Sequence, residues 1–225
     1  MSAAPTHAAS SASDGTTLHY VFDPLCGWCY AVAPLVQAAS RVRGIRVELH
    51  AGGMLSGSMR RRITPDWREH VIPMDRRIAQ LSGQPFGDAY FNGLLRDDAV
   101  WLDSAPPTAA ILAAESLDGQ GLRMLHRIQQ GHYVEGAAVA DEAVLQRLAQ
   151  DIGLPGDAFK ARFQSMSGDA CEAHVADTRA LMHAFGITGF PAVLMHRDGT
   201  WGALPIQRYL GRPTLWRDAL EPPEA

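Results

Sequence analysis

The feature that most constrains this chain is a pair of cysteines two residues apart, Cys26-Gly27-Trp28-Cys29, set where an apolar run gives way to helical spacing. Residues 18–22 are the apolar run and read as a strand, and from 26 to about 42 Ala31, Leu35, Val36 and Ala39 share one helical face. Cys26 is therefore expected in the first turn of a helix. Unpaired backbone N–H groups and the helix macrodipole favour a thiolate there, and Cys29, one turn on, is positioned to resolve a mixed disulfide.

The residues that follow complete a strand–helix–strand unit. Gly44 ends the helical segment, and Ile45-Arg46-Val47-Glu48-Leu49 alternates apolar and charged side chains as a half-buried, parallel strand does. Pro34 is expected to kink the helix between the two strands. After Gly52-Gly53 helical spacing takes over. Thr64-Pro65-Asp66 supplies a cap and a first-position proline, with Pro73 expected to break that helix in two. Further helices are expected over 108–117, 122–133, 141–152, 155–163 and 171–185. Strand character returns over 191–195, Arg197-Asp198-Gly199-Thr200 has the chemistry of a tight hairpin turn, and a short strand (200–206) and a helix (214–220) end the pattern.

Composition narrows the partners. The chain has 225 residues, 47% of them hydrophobic, enough for a sizeable core, and a formal net charge of -4 argues against nucleic acid as the main partner. The Arg60-Arg61-Arg62 run reads as a solvated loop or helix end. No stretch reaches the length of a membrane span, and residues 1–17, rich in Ala and Ser, lack the basic start and apolar centre of a secretory signal and are expected to be disordered. Three cysteines do not make a disulfide-stapled scaffold, so the expected address is the reducing cytoplasm.

A second segment matters as much as the cysteine pair: Gly186-Ile187-Thr188-Gly189-Phe190-Pro191, with a proline directly before an apolar strand. A proline is tolerated at a strand's first residue because no ladder bond is lost there. Taken with Phe22-Asp23-Pro24-Leu25-Cys26-Gly27-Trp28-Cys29-Tyr30, Gly83-Gln84-Pro85-Phe86-Gly87 and His132-Tyr133-Val134-Glu135-Gly136, it makes the chain resemble the DsbA family of thioredoxin-fold proteins over about 18–220. The resemblance is to bacterial protein-disulfide-isomerase-like sequences of that family. It implies an α/β fold with a thioredoxin-like core (18–53 and 187–220) interrupted by a large α-helical insertion (54–186). It also implies a thiol–disulfide oxidoreductase, acting as reductase or isomerase on a protein or small-molecule disulfide. In that reading Cys26 attacks, Cys29 resolves, and Trp28, Phe190 and a cis Pro191 hold the substrate, Phe190 presenting its backbone beside the cysteines. No metal and no cofactor is implied beyond glutathione as a thiol donor. The implied partners are the substrate and a reducing partner, with neither nucleic acid nor membrane among them.

Two departures qualify the resemblance. Strongly oxidising relatives carry a His between the cysteines, where this chain has Gly-Trp, so a less oxidising couple is expected. Tyr20 stands six residues before Cys26, where many relatives hold a buried carboxylate. Asp23 reads as a helix cap that would raise a neighbouring thiol's pKa. Zinc at the cysteine pair would need two more ligands, for which Cys171 and His174 are a weak offer, and the nine histidines show no metal-ligand spacing. Cys171 reads as a buried small hydrophobe, His132-Tyr133 as cleft-lining or structural, and Trp67, Trp101, Trp201 and Trp216 as packing residues. The alternative function is a glutathione-dependent isomerase or transferase on the same scaffold, whose members typically have Ser at the position of Cys26. A non-catalytic binding module is a third.

Overall fold

The computed structural model describes residues 15–221. The tail expected to be disordered therefore falls outside the described residues up to 14, and Thr16 and Thr17 are buried and already belong to the first strand. In chain order the elements are β1 (Thr16–Phe22), α1 (Gly27–Ala39), β2 (Ile45–Ala51), β3 (Arg61–Arg62), α2 (Pro65–Ser82), β4 (Trp101–Leu102), α3 (Ala105–Asp118), α4 (Gly121–Tyr133), α5 (Glu142–Asp151), α6 (Gly156–Met166), α7 (Asp169–Ala184), β5 (Ala192–Arg197), β6 (Thr200–Leu204) and α8 (Pro213–Leu220).

The main sheet has the order β2-β1-β5-β6. β1 and β2 run parallel in the register Leu18↔Val47 and Tyr20↔Leu49, and β5 joins β1 antiparallel with Tyr20 opposite Val193. The β5–β6 hairpin turns at Asp198 (φ 50°) and Gly199 (φ 73°), the two left-handed residues that a type I′ turn requires. Leu18, Tyr20 and Phe22 point from β1 into the main core shared with Leu35, Val36, Ile206 and Trp216. Each such side chain, fully buried, contributes about 1.5–3 kcal/mol. β1, α1 and β2 thus form the parallel unit that the apolar run of 18–22, the helical spacing after Cys26 and the alternation of 45–49 predict.

Several expected boundaries shift for identifiable reasons. α1 begins at Gly27, with Cys26 as its N-cap outside the first turn. α2 runs unbroken through Pro73. Pro73 and Glu69, the residue four back whose carbonyl loses its partner, are both exposed, so water can satisfy what the ladder gives up. The Arg60–Arg62 run is not a bare solvated loop. Arg61 and Arg62 form a two-residue strand against Trp101 and Leu102, with Arg61 over the Trp67 ring at 4.6 Å and Arg62 over Trp101 at 5.2 Å. Of the four tryptophans read as packing residues, Trp216 is buried and Trp67 half-buried, whereas Trp101 and Trp201 keep 43% and 38% of their surface exposed.

The two helical motifs that carried the family resemblance lock together. The Gly87 N–H donates to the Tyr133 carbonyl at 2.9 Å, and a Cβ on Gly87 would stand 2.0 Å from the Val134 carbonyl oxygen. Only glycine lets the two backbones approach this closely. The same segment reaches α1, because Tyr30 Oη donates to the Pro85 carbonyl (2.9 Å) and Gln84 Nε2 to the Tyr30 carbonyl (2.9 Å). α7 lies within the stretch 54–186 read as the insertion, and it packs on the sheet at β2. Its Arg179 donates to the Gly52 and Gly53 carbonyls at 2.8 and 2.9 Å.

Candidate functional site

The site forms where β1 ends and α1 begins. Asp23 is the pivot: completely buried, its carboxylate accepts from Leu25 N (2.9 Å), Met54 N (2.6 Å) and the Ser104 hydroxyl (2.8 Å). It therefore pins the loop before Cys26 to the segment after β2 and to the start of α3. It does not cap α1, as its sequence position suggested; Cys26 does, its Sγ accepting the Cys29 amide N–H at 3.3 Å. Burial pushes the Asp23 carboxyl above its ordinary pKa, and its three donors oppose that shift.

The two cysteines are thiols in different surroundings. Cys29 has no exposure, and burial, followed by its hydrogen bond and charge interaction with Cys26, pushes its thiol well above the ordinary range. Cys26 sits at the cleft wall with its Sγ 3.9 Å from the Phe190 carbonyl oxygen. The Phe190–Pro191 peptide is cis, and Gln207 Nε2 holds the Pro191 carbonyl at 3.0 Å. Tyr20, at the place where a carboxylate was looked for, is buried and donates to the Cys29 carbonyl at 3.2 Å. Burial keeps this phenol un-ionised.

A cleft of about 410 Å³ opens in front of Cys26. Cys26, Trp28 and Phe190 line it, while Cys29 and Pro191 stand behind that surface, both buried. Trp28 is half-buried on the near wall of the cleft. Its opposite wall comes from α2 (Trp67, Asp75, Ile78) and from Tyr90, His132 and Tyr133. Tyr30 stacks on Tyr133 at 4.9 Å, and Phe86 meets Tyr133 edge-on at 5.2 Å, so the resemblance motifs build the aromatic floor of this cleft. His132 is both cleft-lining and buried, and burial lowers its pKa to about 4, leaving it neutral.

Asp75 is the residue that sequence reasoning missed. It lies on the apolar face of α2, in helical register with Val71 and Ile78, and that lone carboxylate among apolar neighbours was the available signal. Tyr90 Oη donates to it at 2.8 Å, and burial raises its pKa to about 6. Asp75 and Ile78 also roof the residue between the cysteines, since a Cβ on Gly27 would lie 2.9 Å from both Asp75 Oδ1 and Ile78 Cδ1.

Cys171 and His174 do not turn towards the pair. Cys171 Sγ donates to the Ala105 carbonyl at 3.5 Å, with burial raising its pKa to about 11, and His174 Nε2 accepts the Ala51 amide at 3.1 Å. Among the described residues no helix is long and apolar enough to cross a membrane.

Comparison with known proteins agrees with this arrangement. A family model described as DSBA-like thioredoxin domain matches residues 17–212. The chain is similar to the cytosolic disulfide reductase DsbM from Pseudomonas aeruginosa, with 51% identity and a TM-score of 0.86 over 91% of this chain and 96% of that one. A structure of the same protein with GSH gives 50% identity and a TM-score of 0.84, with 91% and 96% covered. A 2-hydroxychromene-2-carboxylate isomerase shares the fold at 13% identity and a TM-score of 0.56, covering 91% of this chain and 94% of that one. No curated protein matches the chain.

Proposed function

The chain belongs to the DSBA-like thioredoxin domain family and is a thiol–disulfide oxidoreductase; from that premise we propose that it reduces protein or small-molecule disulfides in the cytoplasm, with glutathione returning the electrons. The observation that carries the reading is the asymmetry of the pair, with Cys26 on the cleft wall and Cys29 a fully buried thiol directly behind it. The Cys26 sulfur attacks one sulfur of the substrate disulfide, forming a mixed disulfide and releasing the other half as a thiolate. Cys29, giving up its proton, then attacks Cys26, which frees the second thiolate and leaves a Cys26–Cys29 disulfide. Two glutathione thiols reduce that disulfide and leave as oxidised glutathione. The Phe190 carbonyl, 3.9 Å from Cys26 Sγ, receives the substrate backbone, and Trp28 supplies an apolar rim. The helical stretch 54–186 supplies the facing wall of the cleft through α2 and the segment around Tyr90, and so selects what enters.

The resemblance of 51% identity to a cytosolic disulfide reductase, and the structure of that reductase with GSH, support the reductive direction. Its test is the reduction potential of the Cys26–Cys29 couple in glutathione redox buffers. We expect a value near that of thioredoxin, about -270 mV, and a value near that of the strongly oxidising periplasmic enzyme, about -120 mV, would sink the proposal.

Asp75 supplies the proton for a departing thiolate. With a pKa of about 6 it is partly protonated near neutrality, and it borders the space that the leaving sulfur enters. Its stability cost has a definite sign. The folded chain holds this proton more tightly than the unfolded chain, so the contribution of Asp75 to stability is complete below about pH 4 and is lost as pH rises through about 6. Asp75→Asn is expected to raise stability by roughly 1–3 kcal/mol above about pH 7 and by little at pH 4, in urea titrations at both pH values. The same variant should reduce disulfides about 10–100-fold more slowly. Unchanged turnover would remove Asp75 from the chemistry.

A further inference from the structure

A second cluster of reactive side chains lies on the sheet face away from α1. The register of β1 on β2 places His19 opposite Glu48 and Val21 opposite His50, so His19, Glu48 and His50 project from the same face. Their nearest ligand atoms converge: His19 Nδ1 is 3.0 Å from His50 Nε2 and 3.1 Å from Glu48 Oε2, and His50 Nε2 is 3.8 Å from the same oxygen. A tetrahedral ion with bonds of about 2.05 Å holds its ligands about 3.3 Å apart, and these three edges bracket that length.

We propose that His19, Glu48 and His50 form a three-ligand site for a late first-row divalent cation, zinc by its donor set, with a fourth position open to water. Two imidazoles and one carboxylate are a recognised zinc donor set. The surroundings orient each ligand. Arg46 Nη2 holds the other carboxylate oxygen, Glu48 Oε1, at 2.5 Å, leaving Oε2 for the ion. The His19 ring packs on Trp201, with ring centroids 4.5 Å apart, which fixes the imidazole plane. An open cleft of about 350 Å³, bordered by Glu48, His50, His174 and Asp177, gives the ion a route in. Glu48 and His50 are neighbours on one face of β2, but His19 stands 31 positions before His50, so the sequence shows two of the ligands without the third.

The test uses untagged full-length protein with the Cys26–Cys29 pair oxidised, so that its thiols do not compete for metal. Isothermal titration with zinc chloride is expected to show one equivalent bound at micromolar affinity or better, and zinc should raise the thermal midpoint. His50→Gln and Glu48→Gln should each weaken binding at least about tenfold and abolish the zinc-induced thermal shift while keeping disulfide reductase turnover. Cobalt(II) in the wild-type protein gives an independent readout, with the visible band expected of a low-coordinate nitrogen and oxygen site. Absence of saturable zinc binding below about 1 mM, or equal affinity in wild type and His50→Gln, overturns the proposal.

Discussion

Cys26→Ser is expected to lower turnover of a disulfide substrate by at least about a thousandfold, measured as glutathione-coupled reduction of a model disulfide. A serine hydroxyl does not ionise near neutral pH, and no other thiol can replace the missing one. Cys29 is fully buried, with a pKa well above the ordinary range, and Cys171 is bonded to the Ala105 carbonyl. Cys29→Ser should behave differently. The first attack survives and the resolving step does not, so a mixed disulfide on Cys26 should accumulate and appear as an adduct in intact-mass spectra. Full activity in the Cys26 variant, or equal adduct formation in the two variants, would refute the division of labour between the cysteines.

The second large effect concerns stability. Asp23→Ala is expected to cost about 3–5 kcal/mol, because it leaves three donors, Leu25 N, Met54 N and the Ser104 hydroxyl, without their partner in a site closed to water. Removing a buried carboxylate recovers part of that cost, which is why the figure falls short of three full desolvation penalties. Asp23→Asn should lose less: one oxygen still accepts, while the new amide group meets one of the N–H donors head-on. Urea denaturation of both variants checks the order. A loss below about 1 kcal/mol for Asp23→Ala would mean that the loop before Cys26 is held by something other than this carboxylate.

The parts of the fold that were legible in the sequence depend on local spacing. The alternation in residues 45–49, the helical register of Ala31, Leu35, Val36 and Ala39, and the Asp198-Gly199 turn each encode their own geometry within a few residues. The cysteine pair and the Phe190-Pro191 segment were legible as two ends of one motif, and the structure brings Cys26 and Phe190 together across 164 positions. What stayed hidden depends on which elements meet. Asp23 looked like a helix cap because the sequence shows its neighbour Cys26 but not Met54 or Ser104, the groups it binds. Asp75 gave only a faint signal, a carboxylate in an apolar helical register, and its meaning depends on Tyr90 and Gly27 being opposite. Pro73 misled because a proline rule states the lost hydrogen bond and not whether water is there to replace it.

The roof over Gly27 has a consequence for anyone who would alter the redox properties of this protein. In a scaffold where the dipeptide between the cysteines faces open solvent, its residues can be exchanged one at a time. Here a side chain at position 27 would collide with Asp75 and Ile78, so the composition of the dipeptide and the seating of α2 form one linked trait. A bulkier residue at position 27 therefore obliges the Asp75 and Ile78 side chains to shift, so that a change made between the cysteines is felt at the substrate wall.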